Sequence, residues 1–253
     1  MAGIKVLTHI GYLILIVILG LACAVMIFLT YRHFYKENLL LKIDPLGYNN
    51  IITEDLKSNL IEADIWLIGD SRIARWDEEL IGSEKRITNL GRDGYTSAQT
   101  IYGFKEYLEV SVPDLVILEV GINDLKVIGL DRNLSQTVTE NFLRNISTIL
   151  KICDEKDIKV ILINIFPVGK IEMQRRLIWN NSVNKSIIKV NEILRSYCGV
   201  KQRVYLDAYD ILSDDGKYVN ISYQADFLHL SEEGYETLTV ELKKKLDIIL
   251  DLK

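Results

Sequence analysis

The order of hydrophobic and polar positions divides the chain into one long apolar segment and a series of short apolar runs. The segment from Val6 to Tyr31 contains no Lys, Arg, Asp or Glu, and it meets the roughly 20-residue length that a helix needs to cross a bilayer. Five short runs rich in Ile, Leu and Val follow it, with the length and composition of buried strands. These predicted strands are Ile65–Ile68, Ile87–Leu90, Leu115–Val120, Ile158–Ile165 and Val204–Leu206.

Between the runs, three stretches carry apolar side chains at the 3.6-residue spacing of an amphipathic helix. They begin near Val138, Val183 and Tyr235. Short strands that alternate with helices are typical of an α/β fold in which helices cover both faces of a parallel sheet. Because ligands bind at the carboxyl ends of the strands in such sheets, that edge is the expected place of a functional site.

The same pattern predicts the domain organisation. Residues 1–36 form a membrane anchor with a span at about 8–30, residues 37–61 form a linker, and residues 62–253 form the globular domain. Ala22-Cys23-Ala24 resembles a signal-peptidase site, but the apolar run continues beyond it, which favours an uncleaved signal anchor. The flanking cations favour a cytoplasmic C-terminal side, whereas the five-residue tail before the segment also allows the opposite orientation.

Composition and charge narrow the class of protein. The 253 residues are 49% hydrophobic and 26% charged, as in ordinary globular proteins. The net charge of −5 divides into +3 over residues 1–43 and −8 over residues 44–253, and a domain this acidic is a poor candidate for nonspecific binding to nucleic acid. The three cysteines form no CxxC pair or Cys/His cluster, so we expect neither a metal site nor a cofactor.

Four short segments at the predicted strand ends and before the last helix hold the residue types of a serine-dependent acyl-transfer site. Ser71 stands at a strand-to-helix turn, where its hydroxyl can project from the sheet and its backbone N–H can face an oxyanion. His229 is the single histidine outside the N-terminal region, and Asp226 lies close enough before it to orient the imidazole. The segments are Gly69-Asp70-Ser71, Asn89-Leu90-Gly91, Gly121-Ile122-Asn123-Asp124 and Asp226-Phe227-Leu228-His229.

Two further residues are predicted oxyanion donors. Gly91 ends the second strand, where a glycine lets the backbone approach a substrate and offer its N–H. Asn123 ends the third strand, and its side-chain amide is a neutral donor. Each segment also has an ordinary structural explanation, namely a helix N-cap, a turn glycine, an Asx turn and a second cap. We favour catalysis because all four segments fall at successive functional edges and include the one imidazole.

These residues resemble the SGNH/GDSL hydrolases, a family named for the four roles that Ser71, Gly91, Asn123 and His229 would fill. The likeness covers essentially the whole predicted globular domain, and its motifs look most like the catalytic subunits of platelet-activating-factor acetylhydrolase and bacterial relatives. It implies a flavodoxin-like three-layer α/β/α sandwich around a five-stranded parallel sheet. It also implies a metal-independent serine esterase with Ser71 as nucleophile, His229 as base, Asp226 as its partner, and an oxyanion hole of Ser71, Gly91 and Asn123.

One position departs from the family pattern, because an arginine replaces the leucine that follows Gly-Asp-Ser. Cations also follow the other motifs and the fourth strand, and we expect this placement to give a positive rim that binds an anionic ester, such as an acidic glycan or a phospholipid. The alternative is that the cations after the first and third motifs point along their helices into solvent. The residues concerned are Arg72, Arg92 and Lys126 at the motifs, and Arg175 and Arg176 after the fourth strand.

The leading interpretation is therefore a membrane-anchored serine esterase that releases a short acyl group, preferably acetyl, since no long insertion provides a lid. An O-acyltransferase that modifies a surface polysaccharide is the alternative, because water and a sugar hydroxyl attack the same acyl-enzyme. A catalytically silent glycan-binding protein is disfavoured by the complete set of site residues. The family resemblance, against the direction of the flanking cations, leads us to expect a single-pass membrane protein with an extracytoplasmic catalytic domain that acts on small-molecule, glycan or lipid esters.

Overall fold

The computed structural model describes residues 2–43, 52–171, 173, 179–199 and 202–250. Contacts divide the chain into two units, Met1–Asn38 and Leu39–Lys253. The first unit contains most of helix α1, which runs from Ala2 to Ile43. The helix therefore continues beyond residue 36, where the sequence pattern predicts the linker to begin.

Helix α1 is the one helix among the described residues that is long and apolar enough to cross a membrane, over His9–Leu39. Its large apolar side chains between Ile10 and Leu29 are mostly exposed. The predicted linker also contains helix α2 (Glu54–Glu62), whose N-terminus is capped by the Thr53 hydroxyl. Residues 44–51 of the predicted linker lie outside the described residues.

The second unit is built on one sheet of five parallel strands, in the spatial order β2-β1-β3-β4-β5. The five-stranded parallel sheet expected from the sequence is therefore confirmed, with each strand within two residues of its expected bounds. The strands are β1 (Ile65–Gly69), β2 (Ile87–Asn89), β3 (Leu115–Glu119), β4 (Lys159–Ile163) and β5 (Arg203–Leu206).

Helices connect the strands, and the three that the apolar spacing predicts are α7, α8 and α10. The described helices of this unit after α2 are α3 (Ser71–Ala74), α4 (Glu78–Ile81), α5 (Ser97–Leu108), α6 (Ile122–Leu125), α7 (Ser135–Glu155), α8 (Ser182–Ser196), α9 (Ala208–Leu212) and α10 (Glu232–Leu250).

Alternate side chains along each strand point to opposite faces of the sheet. In β1, Trp66 and Ile68 pack into a hydrophobic cluster whose helical members come mainly from α5, α7 and α8. Ile65 and Leu67 pack into a second cluster, whose helical members come mainly from α3, α9 and α10. Helices therefore cover both faces, and burial on both sides explains why the strands are almost continuously apolar in sequence.

The parallel register brings the ends of neighbouring strands to one edge. Ile65 pairs with both Ile87 and Leu115, and the last residue of β1, Gly69, pairs with the last residue of β3, Glu119. Helices α3 and α6 begin within three residues of those two strand ends. The segments that carry Ser71 and Asn123 consequently start side by side at the carboxyl edge of the sheet.

Gly91 allows the chain after β2 to pass very close to helix α3. A Cβ at this position would lie 2.2 Å from the Ala74 backbone nitrogen and 2.7 Å from the Ile73 carbonyl carbon. Backbone atoms in a helix cannot move aside as the end of a flexible side chain can. The glycine is therefore a steric requirement of the packing between this loop and the helix that begins at Ser71.

We expect Gly91→Ala to destabilise the fold by about 2 kcal/mol or more, because the added methyl overpacks against helix backbone. Thermal unfolding of the two proteins measures the difference. Gly169→Ala is the matched control, since its Cβ would meet the end of the Gln224 side chain, which can rotate away. Equal unfolding temperatures for the two variants would contradict the packing argument.

Candidate active site

Ser71 is the first residue of α3, immediately after the N-cap residue Asp70. The Asp70 carboxylate accepts a hydrogen bond from the Arg72 backbone N–H at 2.9 Å and so caps the helix. The first N–H groups of a helix have no acceptor within the helix. The Ser71 backbone N–H is therefore oriented outward beside its own hydroxyl, in the place where an anion is favoured.

The segment that carries His229 is a short closed loop. Its ends are joined by an antiparallel bridge between Gln224 and Leu230. Within it, Asp226 Oδ1 accepts hydrogen bonds from the backbone N–H groups of Leu228 at 2.7 Å and His229 at 2.9 Å. These bonds fix the carboxylate and leave its second oxygen facing the imidazole, where Oδ2 lies 2.7 Å from His229 Nδ1.

The imidazole joins this loop to the serine. His229 Nε2 lies 3.0 Å from Ser71 Oγ, across 158 residues of sequence. A carboxylate can only accept, so Nδ1 carries the proton and Nε2 is left to accept from the hydroxyl. The His229 side chain is 19% exposed and that of Asp226 is 56% exposed, so the imidazole is shielded more than its partner.

The pKa of Asp226 is lower than the ordinary value for an aspartate. Partial burial raises it, but hydrogen bonds from the His229 ring and from the backbone N–H groups of Leu228 and His229 outweigh that effect. The carboxylate is therefore ionised at neutral pH. In this state it can stabilise the imidazolium that a proton transfer to His229 would form.

Asn123 is held by partners on both sides of its amide group. Its Nδ2 donates to the Tyr95 carbonyl at 2.8 Å, and its Oδ1 accepts from Lys126 Nζ at 2.6 Å. Exchanging O and N would set an NH₂ group against an ammonium, so these neighbours fix the orientation. One Nδ2 hydrogen remains for a further acceptor. Gly121 makes the turn into α6 with a φ of 138°, a conformation that favours glycine.

The Gly91 N–H is already engaged in this structure. It donates to Asn89 Oδ1 at 2.9 Å, while Asn89 Nδ2 donates to the carbonyls of Ile73 and Trp76, each at 2.8 Å. Asn89 therefore ties the end of β2 to the chain that follows Ser71. As an oxyanion donor, Gly91 would have to share or exchange this bond.

The structure contradicts both expectations for Arg72, namely that it binds substrate at a positive rim and that it points into solvent. The Arg72 side chain is fully buried, so it neither meets substrate at a rim nor points into solvent. Its guanidinium bonds the carbonyls of Leu228 and Phe166 and pairs with Glu119. The reason is that α3 turns this face inward, beneath the His229 loop.

The other expected cations differ from one another. Lys126 directs its ammonium at the Asn123 side chain, so its described contact lies within the site. Arg92 is partly buried, and its Nε has no hydrogen-bond partner among the described residues. Arg175 and Arg176 lie outside the described residues.

Two buried carboxyl groups lie behind the nucleophile. Burial raises the pKa of Asp70, although the Arg72 guanidinium and backbone N–H groups of Arg72 and Gly121 oppose the rise. Burial, and then the neighbouring Asp70 charge, raise the pKa of Glu119 well above its ordinary value. Together with Arg72 they form a charged cluster that the four sequence motifs do not predict.

The structure adds contacts that the sequence did not predict. Asn89, a member of the second motif, accepts from the Gly91 N–H, and Lys126, expected at a substrate-binding rim, donates to the Asn123 side chain. Lys126 lies three residues after Asn123 in a turn, a spacing that allows side chains to meet. That spacing is the signal that could have identified the contact.

Comparison with known proteins gives the family. The model of the GDSL-like lipase/acylhydrolase family matches residues 68–237, more than half of the chain. This range includes all four motifs. A comparison with curated proteins found no match.

Several solved structures share the fold. A GDSL-like lipase from Bacteroides thetaiotaomicron is 21% identical with a TM-score of 0.62, over 74% of this chain and 89% of that one. A protein from Streptococcus pneumoniae described as a platelet activating factor is 27% identical with a TM-score of 0.57, over 89% and 99%. A lipase/acylhydrolase from Enterococcus faecalis is 25% identical with a TM-score of 0.53, over 72% and 94%.

The family match spans the site whose geometry is described above, and the related structures share the sheet and its flanking helices. The resemblance seen in the sequence is thereby confirmed. The chain belongs to the GDSL-like lipase/acylhydrolase family of ester-hydrolysing enzymes.

Proposed function

We propose that this enzyme hydrolyses short-chain esters, preferably acetyl esters, through an acyl-enzyme formed on Ser71. The observation that carries the proposal is the continuous hydrogen-bonded series from Ser71 Oγ to His229 Nε2 and from His229 Nδ1 to Asp226. A serine hydroxyl is a weak nucleophile until a base can take its proton. His229 is within hydrogen-bond distance for that step, and Asp226 holds the required tautomer.

In the first half of the reaction, Ser71 Oγ attacks the acyl carbonyl carbon while its proton passes to His229 Nε2. The carbonyl oxygen becomes an oxyanion that accepts from the Ser71 backbone N–H and from the remaining Asn123 Nδ2 hydrogen. The Lys126 ammonium on Asn123 Oδ1 polarises the amide and strengthens that donor. His229 then protonates the leaving alcohol oxygen, and the acyl group stays on Ser71.

In the second half, a water molecule attacks the acyl carbon and gives a proton to His229. The same two donors stabilise the second oxyanion. Its collapse breaks the bond to Ser71 Oγ, which regains its proton from His229, and the carboxylic acid leaves. The short connection from β1 through α3 and α4 to β2 supports a small acyl group, since it places no long insertion beside the serine in that part of the described chain.

The proposed substrate carries an anionic group near the ester. Support comes from Arg92, which directly follows Gly91 and whose partly buried side chain has no ion pair or hydrogen bond among the described residues. A donor that lacks a partner in the free protein gains more from an incoming carboxylate or phosphate than one already satisfied. Acidic glycan esters and phospholipids both offer such a group. Because the domain as a whole is acidic, an anionic substrate needs a local cation of this kind.

We also propose that α1 anchors the enzyme in a membrane, with the catalytic domain extracytoplasmic. The support for the anchor is the length of the apolar helix and the exposed apolar side chains between Ile10 and Leu29. The orientation follows the expectation from the family resemblance. Apolar side chains all round a helix are unfavourable in water and favourable among lipid tails. The helix also satisfies its own backbone hydrogen bonds, as a bilayer requires.

The reaction is tested by p-nitrophenyl ester turnover with the full chain in detergent. We expect steady release from the acetate ester, slower release from the octanoate ester, and a loss of at least about 10³-fold in Ser71→Ala. Ser58→Ala, an exposed serine on α2, is the control. A burst that stalls until a sugar is added would assign acyl transfer instead, and turnover retained in Ser71→Ala would contradict the proposal.

The anionic preference is tested with acetyl esters of an acidic and a neutral sugar at low and high salt. We expect kcat/KM to be about tenfold higher for the acidic ester at low salt, and this advantage to shrink at high salt. Arg92→Gln should remove it. Arg75→Gln is the control because Arg75 already pairs with Asp93 at 3.8 Å. Equal rates without a salt effect would reject the proposed charge preference.

Membrane anchoring is tested by fractionation of cells that produce the full chain. We expect the protein to stay with membranes after salt and alkaline washes, and a chain lacking residues 1–38 to be released. Protease added outside intact spheroplasts should degrade the catalytic domain. Extraction of the full chain by alkali would contradict the membrane anchor. Protection of the catalytic domain from the protease would contradict the proposed orientation.

A further inference from the structure

The buried Arg72 side chain connects the two segments that meet at the site. Its Nε donates to the Leu228 carbonyl at 3.1 Å, and one terminal nitrogen, Nη1, donates to the Phe166 carbonyl at 3.3 Å. Arg72 directly follows Ser71, and Leu228 directly precedes His229. A single side chain therefore spans from the neighbour of the nucleophile to the neighbour of the base.

The Arg72 backbone provides a second connection. Its carbonyl accepts from the Tyr235 hydroxyl at 2.8 Å, and Tyr235 lies on α10, the helix that follows the His229 loop. Its N–H donates to the cap residue Asp70. The turn that carries Ser71 is thus joined to the His229 loop by the Arg72 side chain, and to the helix that follows that loop by the Arg72 carbonyl.

Stability alone is a poor explanation for this arginine. Removing a guanidinium from water is costly, and a buried ion pair often fails to recover that cost. The distance from Arg72 Nη1 to Glu119 Oε1 is 3.7 Å, longer than a hydrogen bond, and the second terminal nitrogen Nη2 has no hydrogen-bond partner among the described residues. The Phe166 ring, with its centroid 4.9 Å from Arg72 Cζ, adds a weaker cation–π contact.

We propose that Arg72 is a positioning residue, which holds the His229 loop against the Ser71 turn so that Oγ and Nε2 remain within hydrogen-bond distance. Glu119 acts separately, as a neighbouring carboxyl group that, together with Asp70, offsets the cost of placing the guanidinium in the core. The inference rests on the proposed function. An error of about 1 Å in the placement of catalytic groups can cost about 100-fold in rate, so a residue that touches no substrate can still control turnover.

The two roles are separable by mutation. Arg72→Met keeps an unbranched chain of similar length but removes every donor, and it leaves Glu119 without its cation. The double change Arg72→Met with Glu119→Gln also removes the unpaired carboxylate. We expect the single variant to lose both thermal stability and kcat, and the double variant to regain stability while kcat for p-nitrophenyl acetate stays about 10- to 100-fold low.

The experiment measures kcat and KM separately, because a loss of activity alone would not distinguish misplacement of the base from loss of the fold. Misplacement of the base should lower kcat with KM within about threefold, and it should slow Ser71 phosphonylation by a fluorophosphonate to the same degree. Glu119→Gln alone should keep kcat close to that of the original protein. A double variant that regains both stability and kcat would overturn the proposal, because Arg72 would then matter only as half of an ion pair.

Arg72→Lys tests the proposal if the methionine variants fail to fold. It keeps the positive charge opposite Glu119 but lacks the planar fork that reaches two carbonyls. We expect it to fold and to lose kcat, whereas full kcat would overturn the proposal. Ser71→Ala keeps the two questions distinct, since activity that survives that change refutes the acyl-enzyme and not the role of Arg72.

Discussion

The parallel pairing of β1 with β3 is the constraint on which the rest of the site depends. Gly69 and Glu119 pair at the ends of these strands, and the chain turns into α3 and α6 immediately afterwards. Ser71 and Asn123 are thereby set beside each other by backbone geometry, before any side-chain contact forms. A one-residue shift in this register would turn the side chains of the shifted strand to the other face of the sheet and displace Ser71 from Asn123.

The segment that carries Asp226 and His229 lies far from Ser71 in sequence, so its position at the site depends on separate contacts. The loop from Gln224 to Leu230 orients Asp226 and His229 through its own backbone N–H groups, and these bonds do not connect it to the serine. Besides the contact between His229 Nε2 and Ser71 Oγ, the Arg72 side chain bonds the Leu228 carbonyl of this loop, and Tyr235, on the helix that follows the loop, bonds the Arg72 carbonyl. The candidate site thus combines groups set by the sheet with a histidine loop that a buried cation contacts directly.

The sequence predicts the sheet, its flanking helices and the four motif segments because these depend on local patterns. Apolar runs bounded by polar turns mark strands buried on both faces, and Ser71 and His229 are recognisable from their residue types and places. Arg72 could not be predicted in this way. Its burial depends on Leu228, Phe166 and Glu119, which are brought together only when the fold is complete. From sequence alone, a cation beside a motif is expected at the surface.

The contacts of Gly91 and Lys126 could likewise not be predicted from the sequence, although both residues lie near the motifs. The sequence indicates that both lie near the reacting atoms, but their hydrogen bonds depend on side-chain geometry. The Gly91 N–H is taken up by Asn89, and the Lys126 ammonium by the Asn123 amide. The groups proposed as oxyanion donors are therefore arranged by polar contacts with neighbouring side chains.

The most direct test of the account is the identity of the acylated residue. The full chain is mixed with p-nitrophenyl acetate, quenched in acid before turnover is complete, and digested for peptide mass spectrometry. The account predicts a mass increase of one acetyl group on the peptide that contains Ser71, at that serine, and greater accumulation when the acceptor water is made limiting. Acetylation confined to another residue, or ester turnover with no acetyl group on Ser71 at any time, would contradict it.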